Sequence, residues 1–277
     1  MGFQPPLTES KSLSFETPTD HGAPLEPHVS PAAEPPASTI RGEDLLVFMP
    51  LEFPEAIDCD RSAHLLEGVM AGNADVVIVD YGMGNVGSIR NMLLRVGARS
   101  ELSGDPNVIL TAPRLILPGV GAFDEAMTAL RRAGLVEPLR ERAQPDRGPM
   151  LGLCLGMQLL LDASDEGVEP GLGVIPGRCR LLSADDGKRL LVPHMGWNNA
   201  EVVHPNPLLP SLAEDGRYYF VHSYYADPLE ESTVVATTNY GRPFASVIAK
   251  GNAVGVQFHP EKSHKHGLRL FSDFVRT

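Results

Sequence analysis

The 277-residue chain is poor in cysteine, in aromatic side chains and in positive charge. Its three cysteines, Cys59, Cys154 and Cys179, have neither the number for a disulfide framework nor the spacing of a zinc site. That scarcity fits a reducing compartment, and a cytoplasmic location is expected. The N-terminal stretch MGFQPPLTESKSLSF lacks both a basic start and an apolar core, so it does not read as a secretory signal. Apolar runs such as VVIV (Val76–Val79) and LLLD (Leu159–Asp162) are far shorter than the roughly 20 residues a bilayer demands, and no membrane role is expected. Lysine and arginine number 23 against 35 acidic residues, for a net charge of −12, which argues against a nucleic-acid partner. No repeat of solenoid period is present. No cofactor or metal motif is found either: His264 and His266 are close but lack acidic or cysteine companions at ligand spacing.

What is present divides the chain in two. Residues 1–73 hold 12 acidic and 3 basic residues, so most of the net charge sits there. The first 40 are rich in Pro, Ser, Thr and Glu, a composition too polar to offset the entropy of ordering. Leu45–Met70 is more apolar but broken by Pro50 and Pro54. This segment reads as a disordered or loosely packed extension, and Met70, just before the first core strand, is a candidate alternative start.

From Ala74 the texture changes to that of an α/β domain spanning 74–277. DVVIVD is a short β-branched run, followed by the turn-forming YGMGN and the helical pattern VGSIRNMLLRVG. RLILPG with FDEAMTALRRAG, and PMLGLC with LGMQLLLDAS, repeat the unit. Strand, glycine turn and helix in succession predict a parallel sheet flanked by helices. The second half is richer in strands, with RYYFVHSYYAD read as one strand, and a closing helix is expected near HGLRLFSDFV.

Three motifs carry chemistry. GLCLG places Cys154 between glycines at i−2 and i+2, where a strand turns into a helix; this is the layout of a nucleophile elbow and predicts an exposed, activated thiol. A lone cysteine is also often a small buried hydrophobe. In GVQFHPEKS, His259 and Glu261 are separated only by Pro260, and an extended backbone would project both the same way, so the carboxylate could orient the imidazole. PGVGAF (Pro118–Phe123) offers backbone N–H groups which, with that of Leu155, could bind an oxyanion. Alone it is also an ordinary strand-to-helix turn.

Together GLCLGMQLL, FHPE and PGVGAF resemble the triad class of class I glutamine amidotransferases. DYGMGN, PHMGWN, YFVHSYY and GVQFHPEKS are similar to the glutaminase-subunit family of imidazole glycerol phosphate synthase, over about Val76 to the C-terminus. The resemblance implies a mixed, mostly parallel sheet, hydrolysis of glutamine by Cys154, His259 and Glu261, and ammonia delivery to a separate cyclase subunit in a heterodimer of histidine biosynthesis. It implies an oxyanion site from Gly119, Val120, Gly121 and Leu155, and glutamine binding by Gln158, Glu166, Ser223 and Tyr224. It also places Trp197 and Asn198 at the cyclase interface, although a single tryptophan is as readily a core aromatic. Glu166 could be a plain surface carboxylate, Gln158 a first-turn polar residue, and His222 reads as structural. Two alternatives stay open: a glutaminase subunit for another synthase, and a silent regulatory module on the same fold.

Overall fold

The computed structural model describes residues 74–183, 190–214 and 216–277. The expectations for residues 1–73 fall outside them. In chain order the strands are β1 (Val76–Val79), β2 (Ser100–Ser103), β3 (Leu115–Leu117), β4 (Met150–Leu153), β5 (Ala163–Ser164), β6 (Gly177–Leu181), β7 (His194–Asn199), β8 (Glu201–Val202), β9 (Arg217–His222), β10 (Tyr224–Pro228), β11 (Val234–Asn239), β12 (Pro243–Lys250) and β13 (Ala253–Val256). The α-helices are α1 (Val86–Arg95), α2 (Pro106–Thr111), α3 (Phe123–Arg132), α4 (Val136–Arg142), α5 (Leu155–Gln158) and α6 (His264–Arg276).

The main sheet runs β2-β1-β3-β4-β13-β12-β10-β6-β5, and β11 pairs β12 and β8 beside it. β2, β1, β3, β4 and β13 are mutually parallel, whereas β12, β10 and β6 continue antiparallel. Two cores follow from the strand period of two. Val77 and Val79 of β1 face one layer with Met127 and Leu130 of α3 and Leu139 of α4. Val76 and Ile78 face the other, with Ile89 and Leu93 of α1 and Leu270 and Phe271 of α6. Burial on both faces is why VVIV is continuously apolar rather than alternating.

The helices are amphipathic in the way this layering requires. Phe123, Ala126, Met127 and Leu130 of α3 are buried at helical spacing, while Asp124 and Glu125 in its first turn and Arg131 and Arg132 in its last complement the helix dipole. In α6 the same spacing buries Gly267, Leu270, Phe271 and Phe274.

Two expected elements are shorter than their sequence pattern. LGMQLLLDAS is helical only over Leu155–Gln158, because a returning loop captures the following carbonyls: Leu172 N–H donates to Leu159 O at 2.9 Å, and Val174 N–H to Leu160 O at 2.9 Å. RYYFVHSYYAD is two strands, not one. It breaks at Ser223, so that β9 pairs with β7 in a separate two-stranded sheet while β10 joins the main sheet beside β6.

Glycines decide where backbones can meet at the carboxyl end of β4. A Cβ on Gly156 would collide with the Leu117 carbonyl oxygen, and one on Gly152 would lie 2.6 Å from the Gly156 oxygen. Gly87 in α1 is exposed, with nothing within 4 Å of its Cβ position. Gly156→Ala is therefore expected to destabilise the domain by about 3 kcal/mol, since backbone cannot yield as a side chain does. Gly87→Ala should stabilise it by about 0.5 kcal/mol. Urea unfolding of the two variants beside the parent checks both signs.

Candidate active site

Cys154 ends β4 with φ 51° and ψ −108°, a backbone conformation that costs a side-chain-bearing residue energy and is held by its surroundings. Its N–H is bonded to Val256 O at 2.8 Å, and its carbonyl accepts from Met157 N at 3.0 Å. The turn is thus anchored to β13 on one side and to α5 on the other. The expectation of an exposed thiol needs correction: Cys154 is only 8% exposed, because it lies in a cleft of about 450 Å³ walled by the elbow, the Pro118–Phe123 turn and β9. Val221 O lies 4.0 Å from its sulfur and Gln257 Nε2 lies 3.7 Å from it.

His259 lines the same cleft from the end of β13. Its N–H is bonded to Tyr219 O at 2.9 Å, and Nδ1 lies 2.9 Å from Glu261 Oε1, with both side chains almost wholly buried. The two do not share an extended strand as expected. Pro260–Lys262 forms a 3-10 turn, fixed by Ser263, whose hydroxyl donates to His259 O at 2.6 Å and accepts from Tyr219 N at 3.0 Å. The turn brings the carboxylate back to Nδ1, so that Nδ1 carries the proton toward Glu261 and Nε2 is left for the cleft. Burial pushes the His259 pKa down, but the hydrogen bonds and charges of Cys154 and Glu261 outweigh it and raise the imidazole to about 9.

The remaining expected residues divide between two places. Val120, Gly121, Leu155, Gln158, Glu166, Ser223 and Tyr224 join Cys154 and His259 around the cleft. Gly119 sits behind its wall, where an added Cβ would lie 2.5 Å from Gly156 N; its lack of a side chain lets the Pro118–Phe123 turn abut the elbow. Glu166 accepts from Phe123 N–H at 3.0 Å, at the start of α3. Gln158 has both amide hydrogens engaged, by Tyr224 O at 2.9 Å and Gln257 Oε1 at 3.1 Å. Trp197 and Asn198 lie elsewhere. They border an open polar cleft of about 530 Å³ with Arg217 and Lys265, and Trp197, 37% exposed, stacks on His264.

His222 also lines the Cys154 cleft and is hydrogen-bonded to His194, Nε2 to Nδ1 at 3.0 Å. Burial lowers the two to about 3 and about 4 respectively. Sequence reading missed Gln257, Pro193 and Lys262 as residues of the site. For Gln257 a signal existed: it is a polar side chain inside the apolar run AVGVQF, one position beyond a buried strand.

Comparison with known proteins agrees with this geometry. The family described as glutamine amidotransferase class-I matches residues 77–277. The chain is 48% identical over 201 residues to imidazole glycerol phosphate synthase subunit HisH 2 of Pseudomonas aeruginosa, covering 72% of this chain and 98% of that one. It is 44% identical to HisH 2 of Methanococcus maripaludis, covering 73% and 98%, and 47% identical to HisH of Moorella thermoacetica, covering 72% and 93%. Among solved structures, one described as a glutamine amidotransferase aligns with a TM-score of 0.56 at 20% identity, over 73% of this chain and 99% of that one. PurLQS of Thermotoga maritima aligns with a TM-score of 0.57 at 18% identity, over 73% and 97%. The chain belongs to the class I glutamine amidotransferases and, within them, to the HisH glutaminase subunits of imidazole glycerol phosphate synthase, which act in histidine biosynthesis.

Proposed function

We propose that the chain hydrolyses glutamine through Cys154, His259 and Glu261 and hands the ammonia to a separate cyclase subunit. The observation that carries this reading is the buried 2.9 Å pair of His259 and Glu261 in the cleft that holds the Cys154 sulfur. An imidazole held charged to about 9 is available at neutral pH as the acid partner of the Cys154 sulfur. The sulfur attacks the side-chain amide carbon of glutamine, a C–S bond forms, and the carbonyl oxygen takes the negative charge. Leu155 N–H and the Gly119–Gly121 turn are the nearest candidates to receive that oxyanion. His259 Nε2 gives its proton to the departing nitrogen, the C–N bond breaks, and ammonia leaves a glutamyl thioester. The now neutral imidazole takes a proton from water, whose oxygen displaces the sulfur and releases glutamate. Val120, Glu166 and the Ser223–Tyr224 backbone would seat the amino-acid end of the substrate.

The partner is inferred from the relatives' names, which make each of them a synthase subunit. Trp197 and Asn198, which border a different cleft from that of Cys154, are the residues assigned here to that contact. The catalytic unit is assigned to residues 74–277, because 201 residues of this chain already span 98% of the Pseudomonas subunit.

Cys154→Ala is expected to lower glutamine hydrolysis by at least about a thousandfold. In complex with the cyclase the same variant should still make product from ammonium salts; glutamate release is followed beside product formation. In the pH profile, the acid form of His259 is present at neutral pH and lost as pH rises through about 9. Turnover should therefore fall above that pH, and Glu261→Gln, which removes a group that raises the imidazole, should move the alkaline limb to lower pH. Removing residues 1–69 should leave turnover within about twofold and the melting temperature within a few degrees, as measured by glutamate release and thermal unfolding.

A further inference from the structure

One polar side chain touches the Cys154 sulfur without a part in the reaction described above. Gln257 is fully buried, its backbone N–H is bonded to Ser246 O at 2.8 Å, and its Nε2 lies 3.7 Å from Sγ. An amide turned end for end keeps its shape, so its partners must decide whether nitrogen or oxygen faces the sulfur. The Tyr224 carbonyl decides it. A carbonyl oxygen only accepts, and this one lies 2.9 Å from Gln158 Nε2 and 2.9 Å from His222 Nδ1, so both must donate. The second amide hydrogen of Gln158 points at Gln257, 3.1 Å away, which must answer with its oxygen. The Gln257 NH₂ is thereby left facing Cys154.

The same carbonyl fixes the histidines. With its proton on Nδ1, His222 offers only a lone pair at Nε2 to His194, whose Nδ1 must donate across 3.0 Å. His194 Nε2 then accepts from the Asn198 amide at 3.4 Å. The orientation of each group from the sulfur to β7 is set by one backbone oxygen.

We propose that Gln257 is a positioning residue of the glutaminase site, whose amide N–H, aimed by Gln158 and the Tyr224 carbonyl, holds the Cys154 sulfur as a thiolate in its attacking orientation. The proposal rests on the reading of Cys154 as the nucleophile. Around the sulfur, the Val221 carbonyl suits the neutral S–H, whereas the Gln257 N–H and the His259 imidazolium suit the thiolate. The other titratable groups against the sulfur or on its cleft are Tyr81 from the loop after β1, Glu166 from the loop after β5, His222 from β9, Tyr224 from β10, Lys262 from the turn after His259, and Glu261 behind His259. Tyr81 is kept neutral by burial, and the Gln257 amide is an uncharged donor at 3.7 Å from the sulfur. Deleting that donor shifts the balance toward the thiol while leaving the imidazole in place.

The test is the rate at which iodoacetamide, an uncharged probe, alkylates Cys154 in the full chain as pH is varied, read by mass on the peptide that contains it. Gln257→Met keeps the volume and removes the donor. Gln158→Met leaves Gln257 in place but frees its amide to turn, and serves if the first variant does not fold. Both are expected to move the alkylation midpoint upward, Gln257→Met by about one pH unit, a tenfold change in thiolate fraction below the midpoint. In Gln257→Met, kcat should fall about tenfold with KM for glutamine unchanged, and ammonium-driven synthesis with the cyclase should be unaffected. A midpoint that stays put in a folded variant, with only stability reduced, overturns the proposal by assigning Gln257 to packing. Glutaminase activity surviving in Cys154→Ala would instead overturn the nucleophile itself.

Discussion

The site depends on how closely three stretches of backbone approach at the carboxyl edge of the parallel strands. Gly119, Gly152 and Gly156 each sit where a methyl group would meet main-chain atoms: Gly156 against Leu117 O, Gly119 against Gly156 N and Gly152 against Gly156 O. Main chain cannot rotate away as a side chain can, so the Pro118–Phe123 turn, the elbow and the end of β4 are packed in one arrangement. That arrangement puts the sulfur at the floor of a cleft instead of on a surface. The His259 turn is referred to the same place, since β13, which carries it, also bonds the Cys154 N–H through Val256 O.

The electrostatics follow from that geometry. Burial works against a charged imidazole, and the raised pKa of His259 means that the sulfur and the Glu261 carboxylate together overcome it. One carboxylate oxygen is matched to Nδ1, and the other, Oε2, is buried with no hydrogen-bond partner among the described residues. On the opposite wall His222 and His194 are held neutral. His259 is thus held charged and His222 and His194 neutral: burial lowers all three, and only at His259 do the sulfur and a carboxylate outweigh it.

Much of this was legible in the sequence because it rests on local rules. Doubly apolar runs gave the parallel strands, and glycines flanking Cys154 gave the elbow. The spacing of His259 and Glu261 marked a pair even though the backbone between them is a 3-10 turn and not a strand. What was not legible depended on non-local bonds. The helix after Cys154 stops at Gln158 because residues 172–175, distant in sequence, take up the carbonyls that would have continued it. The strand 217–228 breaks at Ser223 because its two halves have different neighbours, β7 and β6. Nothing in an alternating aromatic pattern announces a change of sheet. Burial of the thiol likewise comes from β9 closing over it, which the GLCLG motif alone does not encode.

The backbone of Cys154 has a consequence of a different kind. A non-glycine residue at φ 51° and ψ −108° carries strain of order 1–3 kcal/mol, comparable with a sizeable fraction of a domain's whole stability. Glycine would adopt that conformation without strain. Mutational drift judged on foldedness alone would therefore favour glycine at the one position whose side chain is assigned the chemistry. On the proposed function, the cysteine is held there against the backbone's own preference by the chemistry assigned to its side chain.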